Sequence, residues 1–229
     1  MSQTEINNQR FIKIAHRGAS AYEPENTIRS FKKAIKMRAD MIEFDVRLSR
    51  DRHLVIMHDE RVDRTTNGNG LVREKTLSEL RRLDAGKGER IPTFEEVIDL
   101  AKGKTGFVIE LKEPGTEGGV ISLVIENSLI GDVFVVSFYP DLIKRVKDLE
   151  PRIRTGLILY SSPDPIGLAK GCLADAVAPF HNFITEDLVK KAHSSGLIII
   201  TWTVDIREEA EKLKDMGLDG IVTNKPDLI

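Results

Sequence analysis

An α/β chain closed into a (β/α)8 TIM barrel is the architecture that this sequence predicts, on three observations. Short apolar runs alternate with amphipathic stretches along the whole length, the pattern of parallel strands joined by helical crossovers. Eight principal runs can be counted, which suits a closed barrel better than an open doubly wound sheet. The residues able to do chemistry fall at the ends of those runs, and the C-terminal ends of barrel strands form the functional face.

The elements follow in order. Phe11–Ala15 reads as a strand ending at His16-Arg17. Asn26 or Thr27 can cap a helix whose apolar positions Ile28, Phe31, Ala34 and Ile35 keep helical spacing. Met41–Leu48 is the next strand and Leu54–His58 a return strand. The connection Ser49–His53 is too short for a parallel crossover, so the pair is an antiparallel hairpin. With Asp51-Arg52 as its two turn residues, Asp45 faces His58; Asp-Arg is a weaker turn signal than Asp-Gly, and register follows the turn.

Residues 59–90 break the alternation. They hold the turn-rich Thr65-Thr66-Asn67-Gly68-Asn69-Gly70 and a short helix at Leu77-Ser78-Glu79-Leu80, and are too few for a separate large core. The expectation is one domain over 1–229, with 59–90 as a small insertion after the second-strand hairpin. Ile91-Pro92-Thr93 then opens a helix to about Ala101, followed by a strand at Phe107–Leu111 and a helix at Gly119–Ser128. Val133–Ser137, Arg154–Leu159, Asp175–Ala178, Ile198–Thr203 and Gly220–Thr223 continue as strands. Helices near 139–149, 163–171, 185–194 and 206–216 separate them.

Composition narrows the function classes. Among 229 residues, 41% are hydrophobic and 31% charged, enough for a core beneath a solvated surface. The 34 basic and 36 acidic residues give a net charge of −2, which argues against a general nucleic-acid binder. Cys172 is the sole cysteine, so no internal disulfide forms. No apolar run reaches transmembrane length, and Met1-Ser2-Gln3-Thr4-Glu5 lacks a signal-peptide core, so a cytoplasmic location without stable membrane insertion is expected. Nothing in the sequence marks an oligomeric interface.

The chemistry lies in His16-Arg17, Glu43-Phe44-Asp45, His58-Asp59 and Glu110-Leu111-Lys112. Alternate strand residues share a face, so Glu43 and Asp45 project together, as do Glu110 and Lys112. Carboxylates forced together repel unless a cation lies between them, and three of them make a hard-cation site for Mg²⁺ or Ca²⁺. Two imidazoles, a guanidinium and an ammonium beside such a site are the parts needed to cleave an anionic phosphodiester.

These stretches bring the chain close to a known family. His16-Arg17-Gly18, Pro24-Glu25-Asn26-Thr27, Glu43-Phe44-Asp45-Val46 and Val55-Ile56-Met57-His58-Asp59 come first, then Arg64-Thr65-Thr66-Asn67-Gly68, Leu83-Asp84-Ala85-Gly86 and Ile91-Pro92-Thr93-Phe94-Glu95-Glu96. Ile109-Glu110-Leu111-Lys112, Ser137-Phe138, Thr201-Trp202-Thr203-Val204 and Asp219-Gly220-Ile221-Val222-Thr223 complete the series. In this order they resemble the glycerophosphodiester phosphodiesterase family over essentially the whole chain. The resemblance implies hydrolysis of a small-molecule glycerophosphodiester to sn-glycerol 3-phosphate and an alcohol. It also implies Glu43, Asp45 and Glu110 as ligands of a divalent metal, His16 and His58 as the acid/base pair, Arg17 and Lys112 as phosphate binders, and Trp202 as an apolar wall near the glycerol. Asp205 and Asn224 depart from the family, whose members often have Asn and Asp at those places; beside the mouth, they are expected to bear on substrate fit more than on the reaction.

His53 and His193 read as solvated surface groups, while His181 follows a strand end and can reach the mouth. Asn67-Gly68-Asn69-Gly70 lacks the strand–loop–helix setting of a phosphate loop and reads as a simple turn. Two rival readings stand beside the hydrolase. One is a phospholipase C- or D-like enzyme acting on a lipid, for which no apolar or basic collar is evident in the sequence. The other is a non-catalytic sugar-phosphate-binding barrel, which the presence of both His16 and His58 disfavours.

Overall fold

The protein is seen in a computed structural model that describes residues 11–228. The expectation for Met1–Glu5 therefore lies outside the described residues. The strands are β1 (Ile12–Ala15), β2 (Met41–Leu48), β3 (Leu54–Ile56), β4 (Gly106–Leu111), β5 (Val133–Ser137), β6 (Arg154–Leu159), β7 (Ala176–Pro179), β8 (Ile198–Thr201) and β9 (Gly220–Thr223). The helices are α1 (Ile28–Lys36), α2 (Leu77–Leu80), α3 (Phe94–Ala101), α4 (Glu117–Glu126), α5 (Pro140–Leu149), α6 (Pro165–Gly171), α7 (Glu186–Ser194) and α8 (Arg207–Asp215). Parallel pairing runs β1-β2-β4-β5-β6-β7-β8-β9 and returns from β9 to β1, closing an eight-stranded barrel with helices between its strands. The strand β3 lies outside this circuit and pairs antiparallel with β2.

The hairpin register differs from the expected one. Val46, Arg47 and Leu48 oppose Ile56, Val55 and Leu54, and the Met57 N–H donates to the Asp45 carbonyl at 2.9 Å. Asp45 therefore opposes Met57, not His58. The turn has three residues, because Arg52 takes a left-handed conformation (φ 67°) while its N–H donates to the Ser49 carbonyl. A type I turn closed by a left-handed residue adds one position to one strand and shifts the ladder by one. His58 thus sits just past the ladder, where buried Arg47 holds its carbonyl through Nε at 3.0 Å and Nη2 at 2.8 Å.

Helix starts follow their caps. Thr27 caps α1 through the Ser30 N–H, which frees Asn26 for another use. Thr93 and Glu96 form a reciprocal capping box on α3. The helix α4 begins at Glu117, two residues before its expected start, and Gly119 lies in its first turn. A Cβ on Gly119 would come within 3.1 Å of Leu54, so the helix packs closely on the hairpin at this position.

The core has two layers, both set by strand alternation. Ile42, Phe44, Val46, Phe107, Ile109 and Leu111 point outward beneath the helices. Ile14, Met41, Val108, Phe134, Val136, Ile158, Ala176, Ile200 and Val222 fill the barrel interior. Phe44 centres the outer layer, its ring 5.8 Å from Phe31, 5.5 Å from Phe94 and 6.3 Å from Phe107. Phe44→Ala is expected to destabilise the fold by about 3–5 kcal/mol, since a fully buried ring leaves a cavity its neighbours only partly fill. Urea unfolding reads this directly, and a loss below about 1 kcal/mol would show that the layer can close over the gap.

Residues around 59–90 add a smaller apolar cluster of Val55, Met57, Val62, Val72, Leu80, Ala85 and Ile91 beside the barrel. Within it, Asn67 exchanges hydrogen bonds with Asp84, and the N–H groups of Gly68 and Gly70 are taken by Thr66 and Asp63. Those amides are occupied internally, as expected of a simple turn.

Candidate active site

The inward register of each strand, continued one or two steps beyond its apolar part, builds the site. On β2 the inward positions run Met41, Glu43, Asp45, Arg47, and on β4 Val108 is followed by Glu110 and then Lys112. Ile14 of β1 leads to His16, Ile200 of β8 to Trp202, and Val222 of β9 to Asn224. Asp45 and Glu110 are direct partners in the parallel register, and Glu43 lies one inward step back. Together they form a buried triad whose ligand oxygens all lie within 4.8 Å of one another.

Its electrostatics suit a bound cation. Burial, then the charges of Asp45 and Glu110, push the Glu43 carboxyl well above its ordinary pKa. Burial and Asp45 raise Glu110 to about 7 against the opposing pull of Lys112. Burial also opposes ionisation of Asp45, but Arg17, then Lys112 and His58, hold its pKa below the usual value. Asp45 Oδ2 accepts from Asn26 Nδ2 at 2.8 Å, whereas buried Oδ1 has no hydrogen-bond donor and lies 3.5 Å from Lys112 Nζ. An orphaned, ionised oxygen between two carboxyls of raised pKa suits a hard divalent cation.

The two histidines flank one cavity of about 440 Å³ that also receives Arg17, Glu43, Glu110 and Trp202. The His16 Nδ1 lies 2.7 Å from Asn224 Oδ1, and burial, reinforced by Arg17, lowers its pKa to about 4. The His58 Nδ1 lies 2.6 Å from Asp59 Oδ1; burial lowers its pKa too, with Asp45 opposing. Arg64, first by hydrogen bonding, holds Asp59 well below the usual carboxylate range. Arg17 takes a left-handed backbone (φ 52°), which turns its N–H onto Glu43 Oε2 at 2.8 Å. Gly18 follows at φ 80°, and a Cβ there would meet Ser30 Oγ at 2.2 Å, so the turn requires glycine.

The model of the Glycerophosphoryl diester phosphodiesterase family matches residues 16–228. The chain belongs to this family. The phosphodiesterase is 43% identical over 234 residues to YhdW of Bacillus subtilis (strain 168), a match covering 94% of this chain and 95% of that one. It is 40% identical over 230 residues to the glycerophosphodiester phosphodiesterase of Caldanaerobacter subterraneus subsp. tengcongensis, again covering 94% and 95%. An Oleispira antarctica phosphodiesterase, solved with the product sn-glycerol-3-phosphate, superposes with a TM-score of 0.86 at 29% identity, over 96% of this chain and 94% of that one. Among the described residues of this phosphodiesterase, no helix is long and apolar enough to cross a membrane.

Several residues given no role in the sequence reading join the site. Glu25 accepts from Arg17 Nη1 at 2.8 Å and from both Nη atoms of Arg64, so the 59–90 segment is tied to the β1 turn. Asn26, Asp59 and Arg64 lie within the stretches that carry the family resemblance, and their role shows only in contacts. Asn224, expected with Asp205 beside the mouth, bonds the His16 ring, and Asp205 bonds Asn224. His181 turns to Glu209 and does not line the cavity. His53 is half exposed beside Asp51, and His193 reaches Asp219 at 3.0 Å on the surface.

An apolar collar, not evident in the sequence, is present in the phosphodiesterase. Phe138 lies with its ring 5.4 Å from Trp202, Phe180 5.3 Å from Trp202, and Tyr160 4.9 Å from Phe180. They come one inward step beyond the apolar residues of β5 to β8, so the signal was the same alternation continued past each strand end. Tyr160 is 61% exposed, which puts the outer end of this row in solvent.

Proposed function

We propose that the enzyme hydrolyses glycerophosphodiesters to sn-glycerol 3-phosphate and an alcohol, using a divalent cation and the two histidines as a proton-transfer pair. One observation supports this reading: both imidazoles have Nδ1 beside an acceptor and line one cavity with Glu43 and Glu110, two of the three clustered acids. Glu43, Asp45 and Glu110 would hold Mg²⁺ or Ca²⁺, both oxygen-seeking cations. When bound, the cation polarises a phosphate oxygen and lowers the pKa of a coordinated hydroxyl or water.

The protein's own groups do the rest. Arg17 presents a guanidinium able to bind two phosphate oxygens, and Lys112 has two donors left beyond its 2.6 Å bond to Glu110 Oε1. His16, kept neutral, takes the nucleophile's proton on Nε2. His58, with an anionic Asp59 behind it, is better suited to carry a proton and delivers it from Nε2 to the leaving alkoxide. The same two transfers serve attack by the neighbouring glycerol hydroxyl or by water. Trp202 walls the glycerol side. The described residues, 11–228, act as one barrel domain, with 59–90 as the insertion that supplies Arg64 to both Glu25 and Asp59.

The test is release of glycerol phosphate from glycerophosphocholine, with and without EDTA. Release that EDTA abolishes and Mg²⁺ or Ca²⁺ restores is the expected result; binding without turnover would leave a non-catalytic barrel. The exposed aromatic row favours one second reading, a substrate with an apolar substituent, as in the lipid-directed enzymes. Lysophosphatidylcholine in the same assay separates the two, because preference for it over glycerophosphocholine would move the substrate to a lipid.

A further inference from the structure

Asp205 lies behind His16, one residue removed from it, and does not line the cavity. Its Oδ1 accepts from the Asn224 backbone N–H at 2.8 Å and from Thr223 Oγ1 at 3.0 Å. Its Oδ2 accepts from Asn224 Nδ2 at 2.5 Å. A carboxylate only accepts, so the Asn224 amide must turn its nitrogen toward Asp205 and its oxygen toward His16. That oxygen can only accept, and His16 Nδ1 lies 2.7 Å from it; Ser20 Oγ stands 2.7 Å from it and 2.7 Å from the His16 carbonyl, with one hydrogen to give. The Nδ1 must carry the hydrogen, leaving Nε2 bare.

We propose that Asp205 is a positioning residue for His16, locking the imidazole through Asn224 in the one tautomer that can accept a proton from the nucleophile. This deepens the reading of His16 as the proton acceptor and rests on it. The locking partner of the ring is a neutral amide, with the carboxylate held one bond away. Arg17 adjoins the ring, and Asp45 and Glu25 are the other charges that act on it. A carboxylate in direct contact would favour the imidazolium and cost the base its neutral form at lower pH. The amide relay gives orientation without that penalty.

The relay predicts an asymmetric mutational pattern. In Asp205→Asn, Oδ1 stays on the Asn224 N–H and Thr223, so the new NH₂ opposes Asn224 Nδ2. Asn224 must flip, presenting its own NH₂ to His16 and forcing the hydrogen onto Nε2. An imidazole held in the wrong tautomer by such a change loses up to about 10⁴ in kcat; one bond further out, about 10² is expected here, with KM unchanged. The transposed double variant, Asp205→Asn with Asn224→Asp, restores a carboxylate that receives Nδ1–H. It should regain most of the lost kcat, and the His16 imidazole's own pKa, read by NMR titration, should move up by about one unit.

Nitrogen-15 NMR of His16 reads the tautomer without any turnover: Nδ1–H in the wild type and in the double variant, Nε2–H in Asp205→Asn. A single variant that keeps wild-type kcat and Nδ1–H overturns the proposal. So does a folded double variant no better than the single, or a loss confined to KM. If the wild type cleaves no glycerophosphodiester, the assigned reaction falls, while the NMR spectra still decide whether Asp205 locks the ring.

Discussion

Asp45→Asn is expected to lose roughly 10³-fold in turnover, because cation-assisted charge stabilisation supplies several kcal/mol of the barrier. Of the three acids, Asp45 is the one whose surroundings keep it ionised, through Arg17 and Lys112. It also presents the oxygen that no donor satisfies. An amide there is neutral and would aim one NH₂ at Asn26 or at the cation position. Wild-type protein should gain melting temperature with added Mg²⁺ or Ca²⁺, because a ligand that binds only the folded state stabilises it, and the variant should not. Cation affinity should also fall as pH drops through about 7, where Glu110 takes up a proton that competes with the metal. A variant that keeps both the thermal shift and the turnover would remove the cation from this triad.

His16→Ala is the second large effect. Removal of a positioned base costs about 10²–10⁴ in rate, and the fold should survive, since the ring stands beyond the end of β1 rather than in either apolar layer. Circular dichroism and urea unfolding should match the wild type while glycerophosphocholine hydrolysis falls to the bottom of detection. The low pKa of His16 sets the sign of the pH effect. Its base form persists down to about pH 4, so loss of wild-type activity between pH 7 and 5 would have to come from another group, such as protonation of Glu110. Unchanged activity in His16→Ala would defeat the assigned role and leave the Asp205 relay without a purpose.

The barrel was legible because alternation is local. Each strand announces itself by apolar residues at every second position, and Glu43, Asp45, Glu110 and Lys112 interrupt that pattern on the inward side. Trp202 was found through the family resemblance of Thr201-Trp202-Thr203-Val204. The hairpin register was not legible, because Asp51-Arg52 does not declare its turn type, and the left-handed Arg52 that adds the third turn residue is a conformation rather than a composition. Asn26 and Thr27 could not be separated as caps until the structure showed Asn26 spent on Asp45. The aromatic collar was missed because its rings come from four strand ends far apart in the chain.

By itself, then, the amino-acid order decided the class of fold, the acids, bases and cations on its inner face, and the family to which they belong. Contacts between residues 208 positions apart, such as His16 with Asn224, were decided only on closure of the barrel. The physical reason is range. Periodicity and capping act over a few residues and leave a mark in the local pattern, whereas the direction of an amide dipole or the proton on a ring nitrogen depends on partners that meet only when the first and last strands pair.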